Sequence, residues 1–129
     1  MILFKKNIKD EKKHDKNNLK YPKHIKILDK NSFNDFINKY DNAIVDFWAP
    51  WCAPCKTMSI KLRRLSVLFK DKIAFGKINI SQNQEISKKY KIMSIPHIIF
   101  FKKGSNISNI IGSKSIGEIK KDINDFLKK

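Results

Sequence analysis

The run from Ala43 to Trp48 constrains the fold of this chain more than any other segment. Every residue in it is apolar except Asp46. A strand whose consecutive residues are apolar, rather than every second one, is buried on both faces. The run therefore predicts a central strand that needs a packing layer on each side.

Amphipathic helices are available for both layers. The first predicted helix begins at Asn31 or Ser32 and has apolar residues at i, i+3, i+4 and i+7, namely Phe33, Phe36, Ile37 and Tyr40. A second helix, after the two cysteines, has the stripe Met58, Leu62, Leu65 and Phe69. A short helix is predicted for residues 82–90. The last helix opens with the capping-box pair Ser115 and Glu118 and buries Ile116, Ile119, Ile123, Phe126 and Leu127.

Further strands alternate with these helices. They are predicted at 25–28, 73–80, 98–101 and 107–111, and the last two are joined by a turn at 102–105. The predicted order is β-α-β-α-β-α-β-β-α, in which helices link strands as crossovers and a hairpin closes the sheet. The fold class is therefore α/β, with a central mixed β-sheet flanked by helices on both faces.

The formal charge is +16, from 28 basic and 12 acidic residues. Such a charge occurs in proteins that bind nucleic acids or anionic membranes. Arginine, the residue of bidentate phosphate contacts, occurs only at Arg63 and Arg64. We therefore interpret most lysines as solvated residues of a lysine-rich composition, and expect no specific nucleic-acid site. The alternative is that the positive charge attracts acidic protein partners by electrostatic steering.

Residues 1–23 are predicted to form a basic extension, and residues 24–129 the folded domain. The extension has eight lysines, three acidic residues and no sustained periodicity. We expect it to be disordered or weakly helical, either a dispensable tail or an arm that docks a partner. No segment has the roughly 18 apolar residues of a membrane span, and the start does not have the pattern of a secretory signal. The expected location is the cytoplasm.

Cys52 and Cys55 are the only cysteines of the chain. They lie three positions apart, where the central strand gives way to a helix, and a helix N-terminus stabilises a thiolate on the first of them. A pair of this kind in a reducing compartment indicates redox chemistry. Half a zinc site is the alternative, but zinc needs four ligands, and His14, His24 and His97 are not at zinc-finger spacing. We expect no metal site.

Residues 25–128 resemble the thioredoxin family. The block Val45–Lys56 is similar to the family's active-site segment, and four further matches follow in the same order: Lys77-Ile78-Asn79, Ile95-Pro96, Phe101-Lys102-Lys103-Gly104 and Gly112. The resemblance implies the thioredoxin fold. It also implies a redox disulfide between Cys52 and Cys55, with Cys52 as the nucleophile and Cys55 as the resolving thiol.

Asp46 and Lys77 are the next candidates for the site. A carboxylate within an apolar strand is costly to ionise, so we expect the pKa of Asp46 to be raised. The resemblance makes Asp46 the acceptor of the proton of Cys55 and makes Lys77 the residue that tunes this acid. The alternatives are an outward-facing aspartate and an ordinary surface lysine.

The resemblance also implies a substrate-binding surface. It places Trp51 on the rim beside Cys52, and makes Ile95 and a cis Pro96 the segment whose backbone pairs with the substrate as an added strand. An ordinary trans proline is the alternative. Trp48 is expected to support this surface by packing.

The chain departs from the family pattern at several positions. Ala53-Pro54 replaces the usual Gly-Pro between the cysteines, so the family's potential of roughly −270 mV is not assumed. The absence of a histidine between the cysteines favours a reductant. Ile60 stands where many members have a proline. His97 is expected to pack on its strand, with a modest effect on the thiolate pKa as the alternative.

The sequence thus predicts a thiol–disulfide oxidoreductase that reduces protein disulfides and is recharged by thioredoxin reductase or an equivalent donor. No cofactor is expected, because the electrons reside in the two sulfurs, and the protein is expected to be a monomer. The alternatives are a thiol oxidase or isomerase partner on the same fold, and a binding module that works without redox chemistry.

Overall fold

The computed structural model describes residues 20–129, which form five strands and four helices in the predicted order. The elements are β1 Lys26–Leu28, α1 Phe33–Lys39, β2 Asn42–Trp48, α2 Ala53–Leu68, β3 Ala74–Asn79, α3 Gln84–Lys89, β4 His97–Lys102, β5 Ser105–Ile111 and α4 Ile116–Leu127. Their bounds differ from the predicted ones by no more than two residues, apart from helix α2, for which the sequence indicated only a stripe.

The strands form one mixed sheet in the order β1-β3-β2-β4-β5. Strand β3 pairs in parallel with both β1 and β2, whereas β4 is antiparallel to β2 and to β5. Strand β2 is thus the central strand, as its apolar run predicted. The carboxyl end of β2 meets the amino end of β4, since Phe47 pairs with His97.

Two apolar cores lie on opposite faces of the sheet. Helices α1 and α3 cover the face to which Val45 and Phe47 point, and the residues of this core include Phe33, Phe36, Ile37, Ile86 and Phe101. Helices α2 and α4 cover the face of Ile44, with a core that includes Met58, Leu62, Phe100, Ile119 and Ile123. The predicted sheet with helices on both faces is confirmed.

Local signals at the element ends explain why the helices begin where they do. At α4, the hydroxyl of Ser115 accepts from the Glu118 N–H and the Glu118 carboxylate accepts from the Ser115 N–H, which is the predicted capping box. At α1, Ser32 occupies the N-cap position without capping through its side chain. There the Asp29 carboxylate accepts from the N–H groups of Asn31 and Ser32.

The predicted N-terminal extension falls mostly on residues 1–19, which lie outside the described residues. Tyr21, near the start of the described residues, packs against the α1/α3 core, and its ring centroid lies 5.2 Å from that of Tyr40. Within residues 20–129, no helix combines the length and the apolar character needed to cross a bilayer.

Candidate active site

Cys52 and Cys55 lie at the junction between β2 and α2 and are joined by a disulfide, with their Cα atoms 5.3 Å apart. Cys52 is the N-cap residue of α2, and its Sγ accepts a hydrogen bond from the Cys55 N–H at 3.2 Å. Pro54 falls in the first turn, where its missing N–H removes no helical bond. The sulfur of Cys52 therefore caps the N-terminus of α2.

The two cysteines differ in their accessibility. The residue Cys52 is 7% exposed and Cys55 is 2% exposed, while the neighbouring Trp51 is 71% exposed. Trp51 thus lies on the surface beside the disulfide. The first turn of α2 contains no acidic residue, so no side-chain charge there opposes a thiolate at the positive end of the helix.

Asp46 is buried below this junction. It is 4% exposed, and its Oδ1 has no hydrogen-bond partner within residues 20–129. Burial raises the pKa of Asp46 to about 7, although the charge of Lys77 acts in the opposite direction. Asp46 alternates with Val45 and Phe47 along β2, so its side chain lies on the face that α2 covers. The outward-facing alternative is therefore wrong.

Lys77 lies next to Asp46 because the two residues are paired neighbours on the parallel strands β3 and β2. Its Nζ is 5.1 Å from the centroid of the Trp48 ring, which is a cation–π distance. Lys77 is half-buried, and its charge lowers the pKa of the neighbouring carboxyl.

Pro96 follows a cis peptide bond, as the resemblance to the thioredoxin family implied, and the trans alternative is wrong. Its carbonyl accepts from the Gly112 N–H at 2.8 Å, which ties this loop to the end of β5. Ile95 precedes β4 and therefore lies outside the β2–β4 ladder, whose pairing reaches only to His97. The loop thus reaches the same end of the sheet as the disulfide.

His97 packs on its strand, as expected. The residue is 6% exposed, and its Nε2 forms a hydrogen bond of 2.9 Å with Oδ1 of Asn109 on β5. Its ring lies 6.2 Å from that of Phe47, on the sheet face opposite to Asp46. These contacts account for the histidine at this position.

A cleft of about 480 Å³ opens beside Cys55, between β3 and α2. Its lining includes Trp48, Lys56, Arg63 and Lys77. Arg63 was not among the site residues predicted from the sequence. The available signal was that both arginines of a lysine-rich chain stand next to each other, two to three turns after the cysteines.

Among residues 20–129, no three histidine, cysteine, aspartate or glutamate side chains are grouped so that they could hold an ion.

Comparison with known proteins gives a consistent set of relatives. A family model described as Thioredoxin matches residues 24–125. Thioredoxin from Griffithsia pacifica is 33% identical over 87 residues, which are 67% of this chain and 80% of that protein. Thioredoxin from Alicyclobacillus acidocaldarius is 33% identical over 96 residues, 74% of this chain and 91% of that protein.

A longer relative is the bifunctional thioredoxin reductase/thioredoxin of Mycobacterium leprae, 29% identical over 103 residues. The match covers 80% of this chain but only 22% of that protein.

Solved structures with the same architecture include a single-substitution mutant of thioredoxin from Halobacterium salinarum, with a TM-score of 0.77 at 21% identity. The match covers 83% of this chain and 94% of that one, and shows the fold. Another comes from work on the thiol resolving mechanism in yeast mitochondrial 1-Cys peroxiredoxin via glutathione/thioredoxin systems. It has a TM-score of 0.71 at 29% identity, over 78% of this chain and 94% of that one.

Proposed function

We propose that this chain, which belongs to the thioredoxin family and is a thiol–disulfide oxidoreductase, reduces disulfides of other proteins. One observation supports this function above the others. The sulfur of Cys52 caps α2 by accepting the N–H of Cys55, so a negative charge on that sulfur is stabilised where it forms.

Cys52 begins the reaction as a thiolate. It attacks one sulfur of the substrate disulfide, forms a mixed disulfide with it, and releases the other substrate sulfur, which takes up a proton. Cys52 is assigned this step because it is the more accessible of the two cysteines and lies at the helix N-terminus.

Cys55 completes the reaction. Its thiol gives up a proton, the resulting thiolate attacks Cys52 Sγ, the Cys52–Cys55 disulfide forms, and the second substrate sulfur leaves as a thiolate that takes up a proton from solvent. Two electrons have then passed from the two cysteines to the substrate, and the two protons that the substrate sulfurs take up balance those that Cys52 and Cys55 have given up. Asp46 accepts the proton of Cys55, since a carboxyl with a pKa of about 7 is partly ionised at neutral pH and can later release the proton.

Lys77 assists Asp46 as a positioning residue. Because its charge lowers the pKa of that carboxyl, it keeps part of the Asp46 population ionised near neutral pH and thus able to take a proton.

The substrate binds across the rim that Trp51, Ile95 and Pro96 form. Trp51 offers an exposed ring, and Ile95 offers backbone groups that lie outside the ladder and can pair with an extended segment.

The Cys52–Cys55 disulfide must be reduced after each cycle. We propose that its electrons come from a thioredoxin reductase or an equivalent dithiol donor. We place the protein in the cytoplasm, where reducing conditions suit a chain whose only cysteines are the catalytic pair. Residues 24–129 form the catalytic domain and residues 1–23 an extension to it.

The test is reduction of insulin with dithiothreitol as the electron source. Wild type should precipitate the insulin chains, and the double variant Cys52→Ser/Cys55→Ser should not. A Cys55→Ser variant should capture substrate proteins as mixed disulfides through Cys52. An inactive wild type contradicts the function, and capture through Cys55 in a Cys52→Ser variant with none through Cys52 reverses the assigned roles.

A further inference from the structure

A row of neighbouring residues crosses the sheet on the face that α2 covers. Asp46 on β2 pairs with Lys77 on β3, and Lys77 pairs with Ile27 on β1. Along this row the residues become more exposed, from 4% at Asp46 to 82% at Ile27. Helix α2 therefore covers the centre of the sheet and leaves the β1 edge open.

The uncovered strip forms a continuous groove, here called the edge groove. The cleft of about 480 Å³ beside Cys55 adjoins a second cavity of about 280 Å³, and both are lined by Ser59, Arg63 and Lys77. The second cavity extends away from the disulfide along β1, where its lining residues are Lys23, His24, Ile25, Ile27, Ser66 and Val67. The edge groove thus begins beside Cys55 and ends near residue 23.

The edge groove is positively charged, and no salt bridge within the described residues 20–129 neutralises its cations. Residues 47–70 contain five lysines and arginines and no aspartate or glutamate. Within residues 20–129, the salt bridges are Lys114–Asp122 and Lys121–Asp125, and neither involves a lining residue of the groove. Within residues 20–129, the cations of the groove therefore have no carboxylate in a salt bridge with them and can attract those of a partner.

Arg63 departs from the general composition of the chain. Lysine abundance is a property of the whole sequence, whereas the only two arginines lie in the second half of α2. The guanidinium group is the side chain that binds carboxylates through two parallel hydrogen bonds. Arg63 is exposed and lines both cavities, while its neighbour Arg64 is exposed and lines neither.

We propose that the edge groove binds an acidic, extended segment of the substrate protein, next to the cysteine that Cys52 attacks. This inference rests on the proposed function, because it names the class of disulfide proteins that the site prefers. Carboxylates of the segment would meet Arg63, Lys77 and Lys56, and its apolar side chains would pack on the exposed Ile27 and Val67.

The floor of the groove favours a polypeptide over a nucleic acid. Its well-exposed apolar residues, Ile27, Ile60 and Val67, are aliphatic, whereas single-stranded nucleic acids are bound by stacking on exposed aromatic rings.

The test uses two synthetic peptides with the same internal disulfide, one flanked by glutamates and the other by glutamines. Wild type should reduce the glutamate peptide with a kcat/KM at least about fivefold higher at low salt, and the preference should shrink at high salt. Arg63→Glu should abolish the preference, so that this variant reduces the two peptides with equal kcat/KM. The matched control is Arg64→Glu, which changes the net charge by the same amount one position away and should keep most of the preference.

Equal loss of the preference in Arg63→Glu and Arg64→Glu would overturn the proposal, because the effect would then come from net charge alone. A wild type that reduces both peptides equally would also overturn it, and would leave the reductase function standing.

A binding experiment tests the edge groove independently of the redox reaction. The oxidised protein, labelled with ¹⁵N, is titrated with a glutamate-rich peptide that contains no cysteine. Amide shifts at Ser59, Arg63 and Val67 that vanish in Arg63→Glu support the groove, even if no disulfide is reduced. Absence of shifts there contradicts it, as does tighter binding at these residues by a single-stranded oligonucleotide of equal charge.

Discussion

Replacing Asp46 by asparagine should stabilise the folded protein, and the gain should grow with pH. The two side chains have nearly the same shape, and both are neutral at acidic pH. They differ once the wild-type carboxyl must ionise at a site that is 4% exposed and where Oδ1 lacks a partner within residues 20–129. The variant therefore removes the cost of a buried charge and leaves the packing in place.

The size of the gain follows from the pKa of Asp46. Its value is about 7 in the folded protein, against the ordinary 3.8. Between these pH values the folded state keeps a proton that the unfolded state has released, so the free energy of unfolding falls as pH rises from about 4 to about 7. Roughly three pKa units at about 1.4 kcal/mol each give a cost of about 4 kcal/mol, fully present only above pH 7.

Chemical denaturation of the oxidised proteins at several pH values between 4 and 8.5 measures this cost. The difference in unfolding free energy between Asp46→Asn and wild type should increase across the window and level off above about pH 7. The control variant Asp71→Asn loses one negative charge at an exposed position, so it measures the part of the change in unfolding free energy that comes from net charge alone. A difference that stays constant over the whole range would refute the reasoning.

Three other substitutions test separate parts of the structure. Gly76→Ala should destabilise the protein by about 1–3 kcal/mol in chemical denaturation, because the new Cβ would lie 2.7 Å from Leu28 Cδ1. Gly117→Ala, where the new Cβ has no atom within 4 Å beyond the adjacent residues and the backbone of its own helix, should instead stabilise α4 by up to about 1 kcal/mol, and the reverse order would contradict the packing described. Lys77→Met should raise the pKa of Asp46 and shift the pH profile of disulfide reduction to higher pH, since the lysine charge lowers that pKa. An unchanged profile would remove Lys77 from the mechanism.

Much of the fold could be predicted because the apolar patterns are unambiguous. The run Ala43–Trp48 required cover on both faces, and three of the four predicted helices had an apolar stripe to supply it. The limits of α3 were less clear, since the sequence suggested a start at 82 and the helix begins at Gln84. The preceding residues form a turn in which the Asn79 side chain accepts from the Ser81 N–H at 2.9 Å. Such a side-chain hydrogen bond competes with helix formation, and an apolar pattern does not reveal it.

The chemistry of the disulfide could be anticipated, whereas the groove beside it could not. Cys52 and Cys55 are close in sequence, and the burial of Asp46 follows from its apolar neighbours. The edge groove depends on β1 lying beside β3 and on how much of the sheet α2 covers. Ile27 and Arg63 meet there through tertiary packing alone, so their shared position could not be predicted from local sequence.

The direction of electron flow is the central claim, and the reduction potential of the Cys52–Cys55 couple tests it most directly. It is measured by equilibration of the protein with a glutathione buffer of known composition. We predict a potential more negative than about −200 mV, as in dithiol reductants such as thioredoxins and glutaredoxins. A value at or above that limit, toward the roughly −180 mV of disulfide isomerases, would contradict the reductase and favour the oxidase or isomerase alternative.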